Sequence, residues 1–119
     1  MTERKLTITL RSDWKSSLRT AAAKATGPNY QGETLNFETP GAFFGQLTER
    51  RWQLVRELQA AGGKVGVREL ARRLGRDVKR VHEDASALVA LGLVERDEAG
   101  ALACPYVDIH VDMHLAVAA

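Results

Sequence analysis

The sequence predicts a small α+β domain with additional elements at both ends, and three patterns support this class. Residues 5–10 and 107–115 alternate apolar and polar side chains, which is the period of a half-buried strand. Two amphipathic segments, 67–74 and 78–91, are separated by a turn that contains Gly75, as in a helix-turn-helix. With 119 residues, of which 45% are hydrophobic and 27% charged, the chain has the length and composition of one globular domain.

The first part of the chain, residues 1–39, is predicted to be a strand–helix extension. Residues 5–10 form its strand, and Ser12 can cap a helix over residues 12–24 because its hydroxyl can accept a backbone N–H. A Thr-Gly-Pro-Asn cluster then ends this helix, since proline cannot continue it. Residues 33–38 are predicted to form a short edge strand.

The second part, residues 40–106, begins with a predicted helix over residues 42–58, which are mostly good helix formers. The helix ends at residues 60–63, and Lys64–Val65 can pair as a minimal strand. Trp52 is expected near the edge of the buried stripe. The residues expected within that stripe are Phe44, Leu47, Val55 and Leu58.

The most informative segments of this second part are the helices predicted at residues 67–74 and 78–91. Gly66 suits the N-cap of the first helix, and Gly75 permits the left-handed backbone of a sharp turn. Asp77 is a good N-cap for the second helix. The side chains expected to be buried are Val67, Leu70, Ala71 and Leu74 in the first helix and Val78, Val81, Ala85, Leu88 and Leu91 in the second.

A strand–turn–strand hairpin is predicted directly after the second helix. Its strands are residues 93–96 and 101–104, and the turn between them ends in Gly100. A helix-turn-helix followed by a two-stranded hairpin is a winged helix, so residues 40–106 are predicted to be a winged helix-turn-helix DNA-binding domain. The tip of the hairpin is acidic, which leaves Arg96 as the only cation of this wing that can meet a phosphate.

Positive charge is concentrated beside the turn between the two helices. Residues 40–91 carry ten Lys and Arg against six Asp and Glu, whereas residues 92–119 carry one against five. In a helix-turn-helix, the start of the second helix meets base edges and the first helix lies across the DNA backbone. We therefore expect base contacts from Lys79, Arg80 and Glu83. Contacts to backbone phosphates are expected from Arg68, Arg72, Arg73, Arg76 and Arg96.

The third part, residues 107–119, is predicted to contain a strand that contacts a partner or a second copy. Its polar face would carry Asp108, His110, Asp112 and His114. The last three are candidate metal ligands. However, residues two apart on a flat strand lie about 6.5–7 Å from each other, which suits a single ion only in part. The sequence therefore favours an interface strand, which can pair with the strand at residues 5–10 or across a dimer axis.

The sequence argues against an enzyme, a secreted protein and a membrane protein. It contains no glycine-rich phosphate loop, Cys-x-x-Cys pair, nucleophile elbow or His-Glu-x-x-His motif, so no catalytic residue and no cofactor is expected. Its single cysteine, Cys104, cannot form an internal disulfide, which fits a reducing cytoplasm. No apolar run approaches the roughly 18 residues of a membrane span, and the first residues lack the apolar stretch of a signal peptide.

Three segments resemble a family of winged helix-turn-helix transcriptional regulators predicted in bacteria and archaea, similar in outline to MarR- and ArsR-type repressors. The segments are Phe43–Trp52, Val67–Asp84 and Asp108–Met113. The resemblance implies DNA binding through helix 78–91, as a dimer. Members of this family often look like the antitoxin of a toxin–antitoxin pair, which implies a cognate toxin protein as a partner. The acidic hairpin tip departs from the basic tip that is common in winged helices.

Taken together, these features predict a cytoplasmic, homodimeric regulator that binds specific sites on double-stranded DNA, acting as a repressor or as an autoregulating antitoxin. Two alternatives stay open. One is a metal-sensing winged-helix repressor that uses the histidines of the last strand. The other is a winged-helix module for protein contacts, in which the arginines are only a solvated helix surface.

Overall fold

The computed structural model describes residues 3–11 and 32–114. The helix predicted over residues 12–24 and the predicted strand residue Leu115 lie outside these ranges. The described chain combines helices with two small sheets, which agrees with the predicted α+β class. It divides into two compact units, one formed by residues 1–45 with 108–119 and the other by residues 46–107.

The first unit contains a three-stranded sheet in the order β2-β1-β5. Its strands are β1 (Arg4–Leu10), β2 (Glu33–Phe37) and β5 (Tyr106–Asp112). β1 and β2 run parallel, with Ile8 opposite Leu35. The strands predicted at residues 5–10 and 33–38 are thus confirmed, and β2 lies at an edge as expected. The strand predicted over 107–115 begins one residue earlier and ends at Asp112, and it shares a sheet with β1.

Burial and polar contacts stabilise the pairing of β1 with β2. Leu6 and Ile8 are buried. On the other face, the Thr9 hydroxyl donates to Asn36 Oδ1 at 2.8 Å. Near the start of the strand, Arg4 Nη2 pairs with Glu33 Oε1 at 2.7 Å.

The helix predicted over residues 42–58 is in fact two helices, α1 (Pro40–Gln46) and α2 (Glu49–Ala61). Thr48 has an extended backbone and its hydroxyl accepts the N–H of Arg51 at 3.4 Å, so it caps a new helix. The prediction that Phe44 is buried is also wrong: 61% of it is exposed. Phe43 is buried instead, edge-to-face against Phe37 with ring centroids 5.6 Å apart.

The second unit contains α2, the helices α3 (Val67–Leu74) and α4 (Val78–Leu91), and a hairpin of β3 (Glu95–Arg96) and β4 (Leu102–Ala103). These elements confirm the predicted helix pair and the predicted hairpin, although each hairpin strand has two residues instead of the predicted four. The Val65 N–H donates to the Leu102 carbonyl at 2.8 Å and accepts in return, which confirms the minimal strand. Within the described residues, no helix has both the length and the apolar character needed to cross a bilayer.

The core of the second unit lies between the three helices and the hairpin. Val78, expected in this core, is 36% exposed because it is the first residue of α4 and lies off the stripe that faces inward. Val67, Leu74 and Leu91 are only half-buried. The fully buried side chains of this unit include Leu54, Val55, Leu58, Leu70, Val81, Leu88, Leu93, Val94 and Leu102.

We expect Gly75→Ala to destabilise the protein by about 1–2 kcal/mol, because Gly75 has a φ of 64° at the end of α3 and this region disfavours residues with a Cβ. The added Cβ would meet no atom within 4 Å, so the cost would come from the backbone alone. Urea unfolding would measure it. Gly63→Ala is the matched control, since a Cβ added at Gly63 would also meet no atom within 4 Å and the φ of Gly63 is not positive. Equal stability of the two variants would contradict the argument.

Candidate nucleic-acid interface

The start of α4 presents the three residues that the sequence predicts as base contacts. Lys79, Arg80 and Glu83 are all exposed. None of their side chains has a hydrogen bond or ion pair within the described ranges 3–11 and 32–114. The Asp77 carboxylate accepts the backbone N–H of Arg80 at 3.3 Å and so fixes where the helix begins. The structure therefore places two cations and one carboxylate, with no side-chain partner among the described residues, on the first two turns of a capped helix.

The hairpin brings Arg96 to the same helix. Its Nη2 donates to the Ser86 hydroxyl at 2.9 Å, and Ser86 lies three residues beyond Glu83, on the same side of α4. At the tip, the Asp97 carboxylate accepts the Ala101 N–H at 2.8 Å and pairs with Lys64 at 3.1 Å. These two contacts lower the pKa of Asp97, the backbone hydrogen bond more than the lysine.

Two of the three arginines of α3, Arg72 and Arg73, share the carboxylate of Glu69 on the same helix. Arg72 and Arg73 both donate to Glu69, with Arg73 Nε at 3.1 Å. The hydrogen bond from Arg72, followed by that from Arg73, lowers the pKa of Glu69 from 4.5 to about 2. Arg73 also lies 4.0 Å from Glu57. Arg68 is exposed, and its side chain has no ion pair in the part of the chain that the structure describes. Exposed positive charge thus remains on α3.

Arg76 does not lie on this exposed surface. Only 14% of its side chain is exposed, and its Nη2 donates to Asp84 Oδ2 at 2.7 Å. The other carboxylate oxygen of Asp84 accepts from Arg51 Nε at 3.1 Å. The prediction that Arg76 contacts a phosphate therefore conflicts with its placement, because its guanidinium is enclosed and paired.

The residues Arg51, Asp84 and Arg76, which we call the Asp84 cluster, link α2, α4 and the turn before α4. Burial raises the pKa of Asp84, but the hydrogen bonds from Arg76 and Arg51 outweigh it, so that the pKa lies below its usual value. The pairing of Asp84 with two arginines was not predicted from the sequence. The signal was present, because Asp84 lies between Val81 and Ala85, both on the buried stripe, and a half-buried carboxylate needs a partner.

The polar residues of the last strand do not assemble into a metal-binding group. His114 Nε2 lies 2.8 Å from Asp112 Oδ1. Across residues 3–11 and 32–114, no three His, Cys, Asp or Glu side chains are grouped so that they could hold one ion. Cys104 is partly buried, which raises the pKa of its thiol, and its Sγ lies 3.6 Å from the Tyr106 carbonyl.

We expect Asp84→Asn to destabilise the protein by about 3 kcal/mol, because removing one partner from an enclosed ion pair leaves the other charge uncompensated. Asp84 is 17% exposed, and two guanidinium groups depend on it. Denaturant unfolding would measure the change. Glu83→Gln is the matched control, since this adjacent exposed carboxylate should tolerate the change within about 0.5 kcal/mol. Similar losses in both variants would contradict the role of the Asp84 cluster.

Stability should also depend on Glu69 at acidic pH. Its pKa is lowered from 4.5 to about 2 in the folded chain, so its contribution is present above pH 4.5 and is lost as the pH falls toward about 2. Glu69→Gln should therefore unfold with a weaker dependence on pH between these values. Added salt should reduce the difference, because the pair is exposed. Thermal melts of both proteins across this range would test it, and parallel pH profiles at low salt would contradict it.

Comparison with known proteins places the second unit in a family. The HVO_A0114 family model matches residues 46–111, more than half of the 119 residues. The matched range covers α2, α3, α4, the hairpin and most of β5. No curated protein and no solved structure matches the chain. The chain belongs to the HVO_A0114 family.

Proposed function

We propose that this protein is a winged-helix regulator that binds double-stranded DNA through α4. The main support is the capped start of α4, where Lys79 and Arg80 are exposed and make no side-chain ion pair within the described residues. A short helix, a tight turn at Gly75, a second helix and a hairpin follow each other in the order of a winged helix. In that arrangement the second helix enters the major groove with its first turns.

The side chains at the start of α4 have the chemistry to read bases. Arginine and lysine donate to guanine O6 and N7, and a glutamate can accept from the amino group of cytosine. Because Lys79, Arg80 and Glu83 lack partners within the described chain, binding a base edge would break no existing ion pair of theirs. Such contacts would supply sequence preference.

A second group of cations would supply affinity without sequence preference. Arg68 is exposed without an ion pair among the described residues, and Arg72 and Arg73 share Glu69. Arg96 is held beside α4 by Ser86. We assign these four to the phosphate backbone, where a cation contributes through release of counterions. Arg76 is left out of this group because its guanidinium is paired with Asp84.

The proposal predicts that the double variant Lys79→Ala/Arg80→Ala loses affinity for its cognate DNA by about 100-fold, since good contacts to a base are worth roughly 1–3 kcal/mol each. Fluorescence anisotropy with the DNA upstream of its gene, and with a scrambled duplex, would measure both affinities. The loss should be larger on the cognate duplex than on the scrambled one.

The matched control is Arg50→Ala/Arg56→Ala, which removes the same charge from exposed residues of α2. It should keep the preference for the cognate duplex. Equal losses in the two double variants would show that only bulk charge matters. No binding of either duplex by the wild-type protein at low salt would contradict DNA binding and leave a protein-interaction module.

A further inference from the structure

In the three-stranded sheet of the described residues, β5 is an edge strand with β1 as its neighbour. In the described residues no strand pairs with its other edge. An open edge offers a row of backbone N–H and C=O groups to another strand, and proteins normally protect such edges. β5 is seven residues long, which is enough for a regular ladder.

The side chains of β5 also leave apolar surface in contact with solvent. Val107 is 58% exposed and Val111 is 37% exposed. Asp108 and His110 are exposed between them, and neither has a side-chain hydrogen bond or ion pair in the described part of the chain. Within the described residues, β5 therefore presents exposed apolar and polar side chains at an edge that no other strand covers.

We propose that two copies of this chain associate by pairing their β5 strands antiparallel about a two-fold axis at Ile109. Ile109 is the middle residue of Tyr106–Asp112, so this register overlaps the two strands completely. It places Val107 opposite the partner's Val111, and Asp108 opposite the partner's His110. Each of these pairs occurs twice because of the symmetry.

The chemistry of these pairs favours this register. Apolar pairs and carboxylate–imidazole pairs directly opposite each other stabilise an antiparallel ladder. An imidazole N–H can donate to a carboxylate whether or not the ring carries a charge.

The other registers bring unfavourable groups together. An antiparallel pair centred on His110 places Asp108 opposite the partner's Asp112, and like charges directly opposite each other destabilise a sheet. A parallel pair in register stacks each aspartate on its own copy. A shift by one residue sets the apolar face of one strand beside the polar face of the other. A second copy of β5 is thus complementary to this edge in apolar contacts and in charge, and one register satisfies both.

This interface goes beyond the proposed function and does not depend on it, so it is tested without DNA. Sedimentation velocity of the full chain over a range of concentrations should show a reversible dimer. His110→Asp sets aspartate opposite aspartate twice and should raise the dimer dissociation constant about tenfold. The exchange Asp108→His/His110→Asp restores opposite partners and should recover most of that loss. A protein that stays monomeric at every concentration would overturn the proposal, whatever its affinity for DNA.

Disulfide trapping tests the register independently of stability. In a Cys104→Ser background, Ile109→Cys places two cysteines opposite each other, at the Cα separation of about 4.5–5.5 Å that a disulfide accepts. Mild oxidation should therefore give a covalent dimer. His110→Cys should not, because its opposite residue is the partner's Asp108. Cross-linking through position 110 but not 109 would overturn the proposed register, and circular dichroism would confirm that both variants are folded.

Discussion

The placement of α4 depends on one enclosed carboxylate, that of Asp84. It accepts hydrogen bonds from Arg51 on α2 and from Arg76 in the turn before α4. Ionised groups out of water are costly, and the cost is recovered only where the hydrogen bonds are well aligned. Here the two guanidinium groups keep Asp84 charged in spite of burial. The Asp84 cluster therefore orients α4 against α2, because its hydrogen bonds require a particular geometry and apolar contacts do not.

The arginines around Gly75 have two different roles, which residue type alone does not reveal. Arg51 and Arg76 are enclosed and paired, so they contribute to the packing of the helices. Arg68 and Arg80 are exposed and make no side-chain ion pair in the described chain. The proposed DNA contacts include this second kind together with Arg72 and Arg73, which share Glu69 on the surface of α3. The exposed basic surface is therefore smaller than the run of arginines in the sequence indicates, because Arg76 is not part of it.

Local signals predicted most of the second unit. Gly66, Gly75 and Asp77 fix the bounds of α3 and α4 through backbone conformation and capping, which depend on near neighbours only. The break at Thr48 was not predicted, because the residue three positions later, Arg51, does not complete a capping box. A single hydroxyl at an extended residue was sufficient.

Tertiary contacts account for the remaining differences. Whether Phe43 or Phe44 is buried depends on the position of Phe37, which lies on a separate strand. The pairing of Arg76 with Asp84 depends on how the turn before α4 packs against that helix. This pairing removes Arg76 from the predicted phosphate contacts. The base contacts of Lys79, Arg80 and Glu83 stay a prediction, since exposure is necessary for them but does not identify a ligand.

The hairpin is joined to residues 64 and 65 by two contacts, one at the start of its second strand and one in its turn. Val65 exchanges two backbone hydrogen bonds with Leu102, and Lys64 pairs with Asp97 at the turn. Because residues 64 and 65 lead directly into α3, these contacts connect the hairpin to the start of that helix. A ligand that displaced the hairpin would therefore also act on α3, through the contacts of residues 64 and 65.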